Sequence, residues 1–242
     1  MNMEPSSIDF EMASKLWPKS RFGSEEEWKE YVMKWWPKLP SITARLDDLK
    51  KSRSMNESKM GSYSYSCLMA SVSPEDSFFV LRNLVSTLNP SDLVWEDGKG
   101  AELEPHITVL YGIHETSARP FIDICSKIAT FSVGVTGLSI FEGDQYDVLK
   151  LDIESDELRD LNQFIRDRFE HTSSFPDYHP HLTIGYLKKG RSSLYVGNGD
   201  TRMINSLTIT GFTFSSSSQI RGKVSIPCMN PNLNLVDRLL AS

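Results

Sequence analysis

An α+β fold is predicted, bilobal, with two pseudo-symmetric βα lobes around a central groove and a helical extension in front of them. Three observations predict it. A five-residue string, Pro-His-apolar-Thr-apolar, occurs at Pro105-His106-Ile107-Thr108-Val109 and again at Pro180-His181-Leu182-Thr183-Ile184, with starts 75 residues apart. Each copy closes a strand–helix–loop–strand run, the first from Tyr63 to Ile113 and the second from Tyr146 to Leu187. The hydrophobic period also changes near residue 62, from helical spacing to alternation. The chain therefore divides into a helical extension and linker over 1–61, a bilobal domain over 62–228 and a tail over 229–242.

In the extension, Ser24-Glu25-Glu26-Glu27 is a capping-box pattern with Ser24 as N-cap and Glu27 at N3. Trp28, Tyr31, Val32 and Trp35 follow at helical spacing, and Pro37 stops the helix. This aromatic stripe is expected to pack on the main domain rather than to hold a partner. Ile42, Leu46 and Leu49 mark a second, short helix from Ile42 to Lys50, and the polar stretch from Lys51 to Ser62 is expected to be loop.

The first lobe opens with a strand from Tyr63 to Val72, ended by Ser73-Pro74. Phe78, Phe79, Leu81, Leu84, Val85 and Leu88 then describe a helix with Pro74 in its first turn. Leu93 to Trp95 is a short strand candidate, and His106 to Ile113 carries the first motif. A helix from Ser117 through Ile128 leads to two strands, Phe131 to Phe141 and Tyr146 to Ile153, joined by a hairpin at Glu142-Gly143-Asp144-Gln145. The second lobe continues with a helix from Asp156 to Glu170 and the second motif strand from Tyr178 to Leu187. Ser206 to Phe214 and Gln219 to Ile226 form a last strand pair.

Composition narrows the function classes. A chain of 242 residues that is 39% hydrophobic and 24% charged can bury an ordinary globular core. Its net charge of −6 argues against an electrostatic grip on duplex nucleic acid, although a small anion in a locally basic pocket is compatible with it. The three cysteines have neither CxxC spacing nor a histidine pattern beside them, so neither zinc site nor disulfide framework is expected. No apolar run approaches the roughly 20 residues that cross a bilayer. The opening residues lack the basic start and apolar centre of a secretory signal, so a cytoplasmic location is expected, the host cytoplasm for a viral protein.

Strand alternation gives the repeat its chemical meaning. His106 and Thr108 share one face of their strand, and His181 and Thr183 share one face of theirs. Brought together by a pseudo-two-fold axis, two imidazoles can work on one phosphodiester. One takes the proton of the attacking oxygen and the other protonates the leaving oxygen, roles suited to a side chain whose ordinary pKa is near 6.5. The threonine hydroxyls can donate to non-bridging phosphate oxygens. That scheme requires neither metal nor cofactor, and no carboxylate–histidine cluster with metal spacing is visible.

The two strings also resemble the twin His-x-Thr motifs of the 2H phosphoesterase superfamily, over roughly Tyr63 to Ile226. The resemblance implies a bilobal fold and metal-independent phosphodiester or cyclic-phosphate chemistry. His106 and His181 would be the acid/base pair, and Thr108 and Thr183 the phosphate-binding hydroxyls. Both motifs are intact. Members of the superfamily act on 2′,3′-cyclic phosphates of RNA ends, ADP-ribose cyclic phosphate, 2′,5′-linked oligoadenylate and cyclic oligonucleotide messengers. Some viral members, the anti-CBASS phosphodiesterases of phages, degrade host immune messengers, and the helical extension is compatible with that group.

Other candidates are less defined. His179 shares strand parity with His181 and is a groove-rim candidate for substrate binding. Tyr63 and Tyr65 either stack on a base or line the core, and Arg221 and Lys223 either meet phosphate or solvent. Tyr111 and Tyr186 have the opposite parity from the motif residues and are expected in packing. His114, His171, Lys188, Lys189 and Arg191 are expected to be solvated. The acidic balance favours a small cyclic or 2′,5′-linked oligonucleotide as substrate. The alternatives are an RNA-end 2′,3′-cyclic phosphodiesterase and a nucleotide-sequestering module without turnover. No membrane partner is expected, and oligomeric state is left open.

Overall fold

A computed structural model describes residues 9–16, 19, 22–56, 64–96, 99–173, 177–196, 204–217 and 222–229. Its elements run α1 (Phe10–Leu16), α2 (Glu25–Trp35), α3 (Leu39–Asn56), β1 (Ser66–Val72), α4 (Pro74–Asn83), β2 (His106–Ile113), α5 (Arg119–Cys125), β3 (Phe131–Glu142), β4 (Tyr146–Glu154), α6 (Asp156–Arg166), β5 (His181–Lys188), β6 (Ser206–Ser215) and β7 (Lys223–Pro227). Two units repeat: β1–α4–β2 and β4–α6–β5. In each, the serine that ends the first strand caps the helix. Ser73 Oγ accepts from the Asp76 amide at 3.1 Å, and Ser155 Oγ accepts from the Leu158 amide at 3.2 Å. Pro74 takes the first helical position of α4, where a missing N–H costs nothing.

All strand pairings are antiparallel, in the order β1-β2-β5-β4-β3-β6-β7, and β6 also pairs with β1. β6 allows this by changing neighbours along its length. Its start, Ser206 to Ile209, pairs with β3, and Gly211 to Ser215 pair with β7. Its other edge takes β1. The lobes β2-β1-β6-β7 and β5-β4-β3 are thus joined through β6 on one side and through Ile107–Leu182 of β2 and β5 on the other.

Beyond that pair the two motif strands part, and each exposed edge is covered by the loop that leads into the other. The approach to β2 runs along β5: the Val94 amide donates to Tyr186 O, the Tyr186 amide to Gly100 O, and the Glu102 amide to Ile184 O. The approach to β5 runs along β2: the His114 amide donates to Glu170 O, the Thr172 amide to Gly112 O, and Tyr178 Oη to Thr108 O at 2.9 Å. Backbone groups that would otherwise be unpaired are satisfied reciprocally. Gly112 sits at φ +92 where this loop crosses, and a Cβ there would collide with the Thr172 carbonyl.

Both motif strands carry a bulge at the same place. Leu68 faces Leu110 but Met69 faces Thr108, so Val109 is the extra residue of β2. Lys150 faces Thr183 but Leu149 faces Gly185, so Ile184 is the extra residue of β5. The extra residues go into the core: Val109 is 1% exposed and Ile184 fully buried. They pack in a cluster with Leu68, Ala70, Leu149 and Leu151 and with Phe79, Val80, Leu158 and Ile165 of the helices. Burial of each such side chain contributes about 1.5–3 kcal/mol.

The extension packs into the same core, through Trp28, Tyr31 and Val32 of α2 and Leu46 and Leu49 of α3. Tyr31 Oη donates to Asn83 Oδ1 of α4 at 2.6 Å. The aromatic stripe therefore faces the main domain, as expected. Several boundaries differ from expectation. α3 runs on to Asn56, because no Gly or Pro interrupts it after Pro40 and Ser54 Oγ is satisfied by Lys51 O. α5 begins at Arg119 and α6 ends at Arg166. β5 begins at His181 rather than Tyr178, since Pro180 has no N–H for a ladder. The tail beyond residue 229 and the start of the predicted first strand at Tyr63 lie outside the described residues. Among the described residues, no helix is long and apolar enough to cross a membrane.

Gly112→Ala is expected to destabilise the fold by about 3 kcal/mol, through a disfavoured φ and a backbone clash. Urea denaturation checks it: an unchanged midpoint would mean the β2 edge is not covered as described.

Candidate active site

Each motif histidine is preceded by a buried proline, which fixes the backbone between the ring and the carbonyl two residues back. The result is the same bond twice. His106 Nδ1 lies 2.7 Å from Glu104 O, and His181 Nδ1 lies 2.8 Å from His179 O. A carbonyl can only accept, so Nδ1 carries the proton in both rings and Nε2 is the nitrogen of each that the carbonyl does not engage. Counting one residue outward from the antiparallel pair Ile107–Leu182 sets His106 opposite Thr183 and Thr108 opposite His181. All four motif side chains are half-buried and lie on the groove side of their strands, away from the core residues Ile107 and Leu182.

The neighbouring strands complete the face. On the first lobe, Ser71 pairs with His106, Met69 with Thr108 and Cys67 with Tyr111. On the second, Asp152 pairs with His181, Lys150 with Thr183 and Val148 with Tyr186. Lys150 is 5% exposed, and its Nζ donates to Ser139 Oγ at 2.7 Å and to Asp152. It also lies 4.1 Å over the Phe141 ring. That ring meets His181 edge-to-face, with centroids 4.9 Å apart at 87°. Burial lowers the His181 pKa, with Lys150 and His106 acting in the same sense, against the carbonyl of His179 and the carboxylate of Asp152. Burial pushes Asp152 up, but the hydrogen bonds from Lys150 and Ser139 outweigh it and hold the carboxyl below its ordinary range. Beside His106, Lys223 donates to Glu104 at 2.9 Å and holds that carboxyl low.

The twin tyrosines are where the sequence reading is corrected. Both motifs extend to His-x-Thr-x-x-Tyr, at His106–Tyr111 and His181–Tyr186. Simple alternation turns the tyrosines toward the core, but each bulge inserts one residue after the threonine and turns them back. Tyr111 is 45% exposed on the face of Thr108, and Tyr186 meets Tyr146 edge-on at 5.7 Å on the face of Thr183. Asn162 fixes the first bulge, its Nδ2 donating to Val109 O at 2.6 Å.

The remaining candidates fall elsewhere. His179 is exposed at the mouth of β5, and its carbonyl, not its ring, serves the site. Tyr65 stacks on His114 at 4.9 Å, six residues before the partner of His106 on β1 and so roughly 20 Å along the strand. Arg221 lies outside the described residues. His114 is exposed, as expected, with Nε2 2.8 Å from Thr172 Oγ1, whereas His171 is half-buried and its Nδ1 lies 3.0 Å from Phe169 O. Lys188, Lys189 and Arg191 are tied to Ser91 O, Asp147 and Asp92 and brace the turn after β5. Lys150, Asp152, Ser139 and Phe141 were not singled out in the sequence. Only the polar alternation of Lys150 and Asp152 hints at them.

A two-lobed α+β domain with a His-x-Thr strand from each lobe on one groove is the arrangement that the resemblance to the 2H phosphoesterases implies. Residues 80–196, which contain both motifs, match the sequence model of the 2'-5' RNA ligase superfamily. No curated protein matches the chain in sequence. Solved structures similar to it include Usb1 of Kluyveromyces marxianus, at 10% identity and TM-score 0.46, covering 69% of this chain and 99% of that one. E. coli LigT complexed with 3'-AMP is similar at 16% identity and TM-score 0.46, covering 67% and 94%.

Cys67 lies on the groove face, and burial pushes its thiol up to about 12, against the Thr108 hydroxyl beside it. Burial likewise pushes Cys125 to about 12 and Cys228 to about 11. All three are therefore thiols at neutral pH, and none is an activated nucleophile. Native protein treated with iodoacetamide at pH 8 is expected to stay unmodified by mass spectrometry. Rapid labelling of Cys67 would contradict its placement.

Proposed function

We propose that this chain is a metal-independent phosphodiesterase that cleaves small cyclic or 2′,5′-linked oligonucleotides by two-histidine acid/base catalysis. The observation that carries the reading is the paired carbonyl bond: both Nδ1 atoms are occupied, leaving an Nε2 from each lobe for one phosphate. In the reaction, a ribose 2′-hydroxyl or water attacks phosphorus and gives its proton to one Nε2. The new P–O bond forms as the old one breaks, and the leaving oxygen takes a proton from the other Nε2. Thr108 and Thr183 donate to the non-bridging oxygens, where charge develops.

The two tyrosines support the substrate class. β2 and β5 are antiparallel, so Tyr111 and Tyr186 lie on opposite sides of the histidine pair. Each is four residues from the Ile107–Leu182 centre, roughly 13 Å along its strand. A nucleoside on either side of the scissile phosphate can then stack on one of them, as in a cyclic dinucleotide or a short 2′,5′-linked messenger. The net charge of −6 disfavours long or duplex nucleic acid. A second reading, opening of a 2′,3′-cyclic phosphate at an RNA end, is favoured by the match to the 2'-5' RNA ligase superfamily.

Purified protein is expected to turn over members of a panel of cyclic dinucleotides and 2′,5′-linked oligonucleotides in EDTA. Turnover abolished by chelator would sink the metal-independent mechanism, and turnover of only a cyclic-phosphate-ended RNA would favour the second reading. His106→Ala and His181→Ala should each lower kcat by about 10²–10⁴ with ligand still bound. Unchanged handling of the ligand would instead mark a sequestering module.

Tyr111→Ala and Tyr186→Ala should each raise KM about tenfold with a smaller change in kcat, since stacking on an aromatic ring is worth about 1–3 kcal/mol per base. An equal KM in wild type and both variants would remove the tyrosines from the substrate site.

A further inference from the structure

The pseudo-two-fold relation of the lobes fails on the strands that flank the two motifs. The position opposite Thr108 on the first lobe is Met69 and the position opposite His106 is Ser71. Their counterparts on the second lobe are Lys150, opposite Thr183, and Asp152, opposite His181. A neutral pair on one side thus corresponds to an ion pair on the other.

We propose that Lys150 and Asp152 are positioning residues that make the twin site directional, Lys150 keeping the His181 imidazole uncharged so that His181, not His106, takes the proton of the attacking hydroxyl. The inference rests on the two-histidine reading above and adds to it which lobe supplies the base. Its ground is the unequal burial of the ion pair. The Lys150 side chain is 7% exposed and that of Asp152 is 38% exposed. Solvent screens the carboxylate more than the ammonium, so the local field at His181 is positive. The same Phe141 ring that meets His181 edge-to-face already carries the Lys150 ammonium over it, at 4.1 Å. Ser139 Oγ, 2.7 Å from Lys150 Nζ, fixes the ammonium from the third strand of the lobe. The charged and titratable groups around His181 are then Lys150 and Asp152 from β4 and His106 from β2. Desolvation of the ring acts in the same sense as the ammonium.

With His181 neutral in the resting groove, its Nε2 accepts the proton of the attacking hydroxyl as the new P–O bond forms. His106 gives its Nε2 proton to the leaving oxygen, and the two rings exchange protonation states over the step. Lys150 touches no reacting atom in this scheme and acts through His181.

The test is an NMR titration of the His181 ring in the free protein, which needs no substrate and so stands or falls apart from the nucleotide assignment. In Lys150→Met the His181 titration should move to higher pH, because the unpaired Asp152 then stabilises the imidazolium. In Asp152→Asn it should move to lower pH. Lys150→Arg should leave it near the wild-type position. A lesion of packing would not produce opposite shifts from the two members of one ion pair. Should Lys150→Met not fold, Asp152→Asn decides alone by the direction of its shift. Where a substrate is in hand, the acidic limb of the kcat/KM profile should follow the same directions. A His181 titration unmoved by either substitution, or moved the same way by both, overturns the proposal.

Discussion

The contact on which the groove depends is the pairing of β2 with β5 at Ile107–Leu182. It joins the two lobes at the point where their motifs cross, and both residues are fully buried. Because the strands are antiparallel there, each histidine is set beside the threonine of the other motif. Because they part immediately afterwards, their edges need other partners, and each lobe supplies its own motif's approach loop to the opposite strand. Neither lobe can satisfy its motif strand alone. A ligand that pushed the lobes apart would have to break hydrogen bonds on both strands, so the distance between the histidines is held by backbone pairing as well as by the shared core.

The same economy applies to the histidines. A Pro-His step presents the carbonyl two residues back to Nδ1, and the bond forms in both halves with nearly the same length. The tautomer is therefore a property of the local backbone and needs no carboxylate partner. What differs between the two rings must come from neighbouring strands. On the first lobe these bring Ser71 and Met69, and on the second Asp152 and Lys150. The repeat builds two imidazoles with the same tautomer, and β1 and β4 give them different neighbours.

How much of this was legible in the sequence follows from the range of the interactions involved. The repeat, the two βα units and the four motif side chains were readable, because capping and strand alternation act over a few residues. The tyrosines were not. The facing of Tyr111 depends on a bulge held by Asn162, 53 residues from Val109, and by Tyr178, 70 residues from Thr108, and that of Tyr186 on a bulge whose Ile184 carbonyl accepts from the Glu102 amide. Strand parity counted from the sequence alone has no access to such partners. Lys150 and Asp152 were hidden for a different reason. Charges alternating with Leu149, Leu151 and Ile153 read as the solvated face of an ordinary amphipathic strand. That face is partly covered here, Lys150 most of all, because β3 lays Ser139 and Phe141 beside it. The helical extension was legible in its capping box and its aromatic stripe, but the length of α3 was not, since polar residues are compatible with helix and loop alike.

On the proposed function the groove receives an anion, and a buried lysine in it could be read simply as an attractor for phosphate. Its geometry argues for a more particular task. Asp152 and Ser139 engage two of the three ammonium donors, and the Phe141 ring occupies a further direction. An ammonium meant for a ligand would be expected to keep its donors open and its chain extended toward solvent. This one is drawn back against its own strand, where its charge still acts on an imidazole without reaching the reacting atoms. Asp152 offsets part of its field at His181, and the more buried ammonium is the less screened of the two charges. On the proposed two-histidine reading, attraction of the anion would fall to the threonine hydroxyls and the protonated partner histidine, groups whose interaction grows as charge develops on the phosphate. A fixed cation on the phosphate itself would bind the ground state and the transition state nearly alike and contribute little to rate.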